Sequence, residues 1–262
     1  MRVLIVADME GVAGVALPEQ VTRGTPEYAE ARHLLTAEVN AAVAGALDGG
    51  ATEVLVKDAH GAGLNLVLAD LDPRARCIMG PSLPERFPAL NDSYAGLFLL
   101  GYHAMAGTAG AVCDHTMSSQ SWSRYVLCGR EVGEVGIDAA LAGARGVPVL
   151  LVTGDDKVCR EAEALLPGVL TLAVKEGLSR HSAISLAPAA ARVRMREAAR
   201  AALTRTVQPY VPAPPYRVDL TYVLSSFADA RPCDGRTSMR LDGRTLRYEG
   251  HDLAEVIQRT LR

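Results

Sequence analysis

The chain has little cysteine and no close cysteine pair. Its five cysteines (positions 77, 113, 128, 159 and 233) are odd in number and widely spaced, with no C-x-x-C among them. That argues against a disulfide framework and against a structural zinc cluster, and it favours a reducing compartment. Long hydrophobic runs are also missing. A membrane span needs roughly 18–20 apolar residues, and no stretch approaches that length. The N-terminal run from Val3 to Ala7 is stopped by Asp8, too soon for a signal-peptide core. Nor is there an excess of positive charge. The net charge is -3, and the basic residues are dispersed except for a scatter from Arg192 to Arg205 that reads as a solvated helix face. Nucleic acid and anionic membrane are therefore not expected partners, and the expected setting is the cytoplasm. The G-x-G-x-x-G spacing of a dinucleotide site is absent from the glycines that follow the first apolar run. No internal repeat or low-complexity tract is present.

What is there is an alternation of strands and helices. Residues 3–7 (VLIVA) lack polar alternation, the pattern of a strand buried on both faces. Thr25-Pro26 supplies a helix cap followed by proline at the first helical position. The spacing predicts a helix to about Leu47, with Leu35, Val39, Ala42, Val43 and Ala46 on one face and Gly49-Gly50 at its end. "TEVLVKDAH", "YAGLFLLGYHA" and "PVLLVTGDD" read as further strands, the last followed by a helix from Lys157 to Leu166. "VLTLAVK" reads as a fifth strand. Such alternation predicts an α/β fold with a largely parallel central sheet flanked by helices. From about Pro188 the character changes. A helix from Ala189 to Leu203 leads through the proline-rich "VQPYVPAPPY" to an alternating strand, a hairpin turning at Asp242-Gly243, and a final helix from Asp252 to Leu261. The expected division is a metal-binding α/β catalytic domain, 1–187, and a smaller C-terminal α+β subdomain, 188–262.

Open α/β sheets carry their sites outside the carboxyl ends of the strands. Asp8 and Glu10 follow the first strand, Asp58 and His60 the second, and His103 the third. Buried carboxylates are costly unless something cationic meets them. Together with His115 and Glu134 these residues have the composition of a metal site, because zinc takes imidazole nitrogen and carboxylate oxygen. In two-metal hydrolases the ions sit about 3.5–4 Å apart around an activated water. Each residue alone reads equally well as a cap, a turn or a hydrogen-bonded histidine. Recurrence at three strand ends is the signal.

Other candidates have plainer readings. Cys113 beside His115 has the parts of a thiolate nucleophile, but a polar loop flanking the site is the preferred reading. His115 suits an acid, a base or an oxyanion stabiliser. Glu134 opens a helix, where the macrodipole already favours a carboxylate, and Glu131 competes with it as a ligand. Asp155-Asp156 precedes a helix and reads as an N-cap. His33, His181 and His251 read as surface residues. Trp122, Tyr102 and Tyr125 read as core, with a pocket lining as the alternative.

The motifs "VADMEGVAG", "EVLVKDAHG", "LFLLGYHAMAGT", "DHTMS", "VGEVGIDAALAG" and "VPVLLVTGDD", in this order, resemble those of the DppA-type zinc-dependent D-aminopeptidase family of the bacterial dipeptide operon. The resemblance runs from residue 3 to about 190 and is weak beyond. It implies two zinc ions per chain on Asp8, Glu10, His60, His103 and Glu134, with Asp8 bridging, and a catalytic role for His115. It also implies a homodecamer of two stacked pentamer rings, whose channel restricts substrates to short peptides. The activity so implied is aminopeptidase release of N-terminal residues, D-amino acids among them, from short peptides or aminoacyl amides by a metal-activated hydroxide. Glu10 or Glu134 is the expected anchor for the free amine. Two other readings compete. A two-metal phosphoesterase is disfavoured because Lys57 is the one cation beside these motifs. A catalytically silent peptide- or metal-binding protein has no need of His115.

Overall fold

The apolar run at the N-terminus forms strand β1 (Arg2–Ala7), and Val3 to Ala7 are fully buried. A computed structural model describes residues 1–80 and 85–261. The further strands are β2 (Glu53–Asp58), β3 (Ala75–Ile78), β4 (Tyr94–Tyr102), β5 (Trp122–Leu127), β6 (Arg130–Glu131), β7 (Val149–Asp155), β8 (Leu170–Ser179), β9 (Ser182–Ser185), β10 (Tyr216–Tyr222), β11 (Ser238–Arg240) and β12 (Thr245–Gly250). The helices are α1 (Pro18–Val21), α2 (Pro26–Asp48), α3 (Glu134–Gly143), α4 (Asp156–Leu165), α5 (Pro188–Ala202), α6 (Ser225–Asp229) and α7 (Leu253–Thr260).

Seven strands form the main sheet in the order β3-β2-β1-β4-β7-β8-β9, parallel throughout except for the antiparallel β8–β9 pair. Leu4 of β1 lies opposite Leu55 and Leu97. Side chains alternate across the sheet, and β1 divides accordingly. Val3, Ile5 and Ala7 pack with residues of α2 and α5, while Leu4 and Val6 join the core built with α3, α4 and α7. α2 begins as its sequence predicts, with the Thr25 hydroxyl accepting from the Tyr28 amide at 3.1 Å and Pro26 in the first turn. Its inward face carries Leu35, Val39, Ala42, Val43 and Ala46, all buried. Burying a large aliphatic side chain is worth about 1.5–3 kcal/mol, so this face, rather than helix propensity, holds α2 to the sheet.

The second sheet is antiparallel, in the order β11-β12-β10-β5-β6. Leu220 of β10 faces Leu246 on one side and Tyr125 on the other. This differs from the division expected at residue 188 in two respects. Helix α5 lies against α2 beneath the main sheet, where Ala191, Met195 and Ala199 are buried and Arg196 pairs with Asp48 at 2.6 Å. Strands β5 and β6, from well before residue 188, complete the antiparallel sheet. The physical reason is that β12 covers only one edge of β10, and β5 satisfies the other. Trp122 and Tyr125 are core residues as read, stacked at 5.6 Å, and they belong to β5.

Candidate metal centre

The carboxyl ends of β2, β1 and β4 lie side by side, and the ladder between β1 and β4 continues past the strand. The Asp8 amide donates to Leu100 O at 2.8 Å and the Gly11 amide to Gly101 O at 2.7 Å. Both glycines are needed for this approach. A Cβ on Gly101, whose φ is +68°, would lie 2.2 Å from Asp8 O, and one on Gly11 would lie 2.1 Å from Tyr102 O. The backbones thus close to a distance that only glycine permits. Lys175 of β8 holds the loop from beneath, its buried Nζ donating to the carbonyls of Glu10, Val12 and Val15.

Each remaining segment has its own clamp. Asp58 accepts from the Asn65 amide (2.6 Å), Asn65 Nδ2 (2.7 Å) and the Leu66 amide (2.9 Å), while Asn65 Nδ2 also donates to His60 O at 2.6 Å. Asp58 therefore shapes the loop that carries His60 and keeps its oxygens for that loop. Glu161 of α4 accepts from the Met105 amide at 2.8 Å and the Gly133 amide at 3.3 Å, tying together the segments of His103 and Glu134.

The structure brings Asp8, Glu10, His60, His103, His115 and Glu134 into one cluster. His60 Nδ1 lies 3.1 Å from both Asp8 Oδ1 and Glu10 Oε2. His103 Nε2 lies 3.6 Å from Asp8 Oδ2 and 3.3 Å from Glu134 Oε1. His115 Nε2 lies 3.6 Å from Glu134 Oε1, and its ring stacks on His103 at 3.8 Å. The outward nitrogen of each ring faces a backbone carbonyl: His60 Nε2 meets Val21 O, His103 Nδ1 meets Ala104 O, and His115 Nδ1 meets Cys113 O. A carbonyl only accepts, so each outward nitrogen carries the hydrogen. In the neutral ring, the inward nitrogen then turns a lone pair toward carboxylate oxygens. This orientation by outer hydrogen bonds is what ligating histidines show.

Lone pairs facing carboxylates repel unless a proton or a cation lies between them. With protons alone, the buried charges compete. Burial and the neighbouring Glu10 push Asp8 up to about 7. Burial alone would lower His103, but the Glu134 charge outweighs it and holds the ring at about 10. Glu134 itself is drawn down to about 2 by His103 against the effect of burial. Glu10 Oε2 and His103 Nε2 are buried with no partner in hydrogen-bonding geometry among the described residues. A metal cation answers each of these features. Donors about 2.0–2.1 Å from a tetrahedral zinc stand about 3.3–3.4 Å apart, close to the spacings in the cluster. Asp8, Glu10 and His103 offer donor atoms within 4.8 Å of one another, and so do His103, His115 and Glu134. The residues fit a metal, and His115 lies close enough to count among the donors.

The other candidates resolve as follows. Asp155 caps α4, accepting from the Lys157 and Val158 amides. Glu131 is exposed and pairs with Arg124 at 2.8 Å. Cys113 is buried, and burial together with Glu10 pushes its thiol up to about 11, the direction that favours the thiol over the thiolate. His33, His181 and His251 are exposed. Arg86 carried no signal in the sequence. Its guanidinium lies 3.8 Å from Glu134 Oε2 and forms a two-pronged pair with buried Asp138, to which Tyr102 also donates. Lys57 is thus not the only cation near the cluster, and that ground against a phosphoesterase does not hold.

Comparison with known proteins decides the class. A family model described as D-aminopeptidase matches residues 1–261, including the C-terminal region where the motif resemblance was weak. The D-aminopeptidase of Bacillus subtilis (strain 168) is 34% identical over 264 residues, covering 100% of this chain and 96% of that protein. A solved structure described as "Zn-dependent D-aminopeptidase DppA from Bacillus subtilis, a self-compartmentalizing protease" aligns with a TM-score of 0.93 at 33% identity, again covering 100% and 96% of the two chains. In the described residues, no helix is long and apolar enough to cross a membrane. The chain belongs to the D-aminopeptidase family and is a peptide hydrolase.

Proposed function

We propose that this chain is a zinc-dependent aminopeptidase that releases N-terminal residues, D-amino acids among them, from short peptides or aminoacyl amides. Asp8, Glu10, His60, His103 and Glu134 would hold two zinc ions, with Asp8 between them. His60 and His103 approach opposite oxygens of the Asp8 carboxylate, as a bridging ligand requires. Bound zinc would supply Lewis acidity toward the substrate carbonyl and toward water. His115 lies at the margin of the cluster, with Nε2 directed inward and Nδ1 fixed on Cys113 O. With Nδ1 donating to Cys113 O, the inward Nε2 carries the lone pair that would accept a proton from the attacking water and return it to the leaving amine. The carboxylates of Glu10 and Glu134 offer the negative edge that an α-ammonium needs.

The single observation that carries this reading is the set of three imidazoles whose inward nitrogens face three buried carboxylates. Its test is His115→Ala, assayed on D- and L-aminoacyl amides with zinc measured per chain by elemental mass spectrometry. Turnover should fall about 10²- to 10⁴-fold with two zinc ions retained. Loss of zinc along with turnover would make His115 a ligand instead. A zinc-replete wild type inert on every aminoacyl amide would refute the aminopeptidase reading. The related structure's description as self-compartmentalizing supports a homodecamer, and five free cysteines support a cytoplasmic setting.

A further inference from the structure

A second cavity, of about 720 Å³, opens beside the cluster. Ala59, Gly61, Arg86, Met117 and Ser118 line both this cavity and the smaller one at the cluster, so the two adjoin. Lys57 lines the larger cavity. It sits in β2, is only 8% exposed, and among the described residues its ammonium has no hydrogen bond or ion pair. An ammonium at a cavity wall with no ion pair is available to an anion that enters the cavity. Lys175, more deeply buried, instead meets three carbonyls.

Among the described residues, the anions near Lys57 have other partners. Asp58 is satisfied by Asn65 and Leu66, Asp138 by Arg86 and Tyr102, and Glu85 pairs with Arg145 at 3.1 Å. Arg86, paired with Asp138, and Arg231 line the same cavity, as do Asp58 and Glu85. Burial and the Arg86 charge lower the Lys57 pKa, as expected of an ammonium that lacks a counter-charge. The chamber thus adjoins the cluster and presents, in Lys57, an ammonium with no ion pair among the described residues.

We propose that Lys57 binds the C-terminal carboxylate of the substrate, so that the preferred substrates are short peptides with a free C-terminus. A peptide whose amino end lies at the carboxylate–imidazole cluster extends its other end into this chamber. The proposal rests on the aminopeptidase reading and narrows it from peptides and amides to peptide acids. Lys57 is on this account a specificity residue that contacts substrate away from the scissile bond.

The test compares D-alanylglycine with D-alanylglycinamide, which differ only in the terminal charge. A charge-assisted hydrogen bond corresponds to about a ten- to hundredfold preference, so kcat/KM for the acid should exceed that for the amide by this factor. Lys57→Met should bring the ratio to about one, mainly through KM, and Lys57→Arg should restore most of it. A wild-type ratio near one, or a Lys57→Met enzyme slowed equally on both substrates, overturns the proposal. Should zinc-replete wild type hydrolyse neither peptide, the aminopeptidase reading itself fails. Calorimetric titration with the same two peptides then tests the subsite alone: tighter binding of the acid, abolished in Lys57→Met, supports it, and equal binding overturns it.

Discussion

Replacing Lys175 by methionine keeps the length of the side chain and removes its charge and its donors. The wild-type ammonium is buried and holds three carbonyls of the loop that carries Glu10. Three charge-assisted bonds at about 2 kcal/mol each contribute about 6 kcal/mol. Against this stands the cost of burying the ammonium, visible in a pKa lowered to about 8 by burial despite the nearby Glu38. Relative to an ordinary lysine, that is worth about 3 kcal/mol. The net loss in Lys175→Met is therefore about 3 kcal/mol. In a chain of this size it lowers the thermal midpoint by about 6–12 °C. Because the released carbonyls include that of Glu10, zinc affinity should also fall about ten- to hundredfold, as for loss of an outer-sphere partner. Thermal melts and competition against a chromophoric chelator read the two effects separately. A midpoint within about 2 °C of wild type would refute the energetic argument, and unchanged zinc affinity would show that the ties hold the fold but not the site.

Two further outcomes follow from buried groups near the same loop. Glu38 accepts from the Ala13 amide at 2.9 Å, and its Oε2 has no hydrogen-bond partner among the described residues. Burial pushes it up to about 7, although Ala13 and Lys175 pull the other way. The folded value lies above the unfolded one, so the stabilisation is complete below about pH 4.5 and is lost as pH rises through about 7, an effect of about 3 kcal/mol. Urea unfolding at pH 5 and pH 8 should show the decline in wild type and a decline smaller by about that amount in Glu38→Gln; equal declines would count against it. Gly101→Ala places a methyl 2.2 Å from Asp8 O at a φ of +68°, and so should cost more than about 3 kcal/mol and displace Asp8. Thermal melts and zinc per chain check this, and a variant that matches wild type in both would show that the two strand ends separate freely.

The elements that could be read from the sequence were those with a local cause. β1, β4 and β7 are apolar runs, α2 has its cap and its periodic face, and the Asp242-Gly243 turn marks the β11–β12 hairpin. Strands β3 and β9 were not legible, being four residues long and at sheet edges where half-exposed side chains blur the pattern. β5 carries a usable alternation, but its pairing depends on β10, which lies far along the chain. In the cluster, Asp8, Glu10, His60 and His103 were legible because topology alone takes strand ends to one edge of the sheet. Glu134 was not separable from Glu131 by local pattern, since only the fold shows which of them faces inward. Lys175, Glu161 and Arg86 were invisible for a common reason: each acts on atoms contributed by segments remote in sequence, two of them on backbone amides or carbonyls that any residue type supplies.

The excursion of the chain through β5 and β6 has a consequence for the order of events during synthesis. His115 precedes this pair of strands and Glu134 follows it, and β5 is paired along its length with β10. The strands that carry Asp8, His60 and His103 are all synthesised by Tyr102, whereas β10 emerges late. The β5–β10 pairing closes a loop as long as that between β1 and β4, but it cannot begin until β10 has been synthesised. A nascent chain released before residue 222 would carry all six residues of the cluster but not the complete strand β10 with which β5, between His115 and Glu134, pairs. Completion of the antiparallel sheet, whose β5 and β6 join the segments of His115 and Glu134, therefore follows synthesis of the main-sheet strands that carry Asp8, His60 and His103.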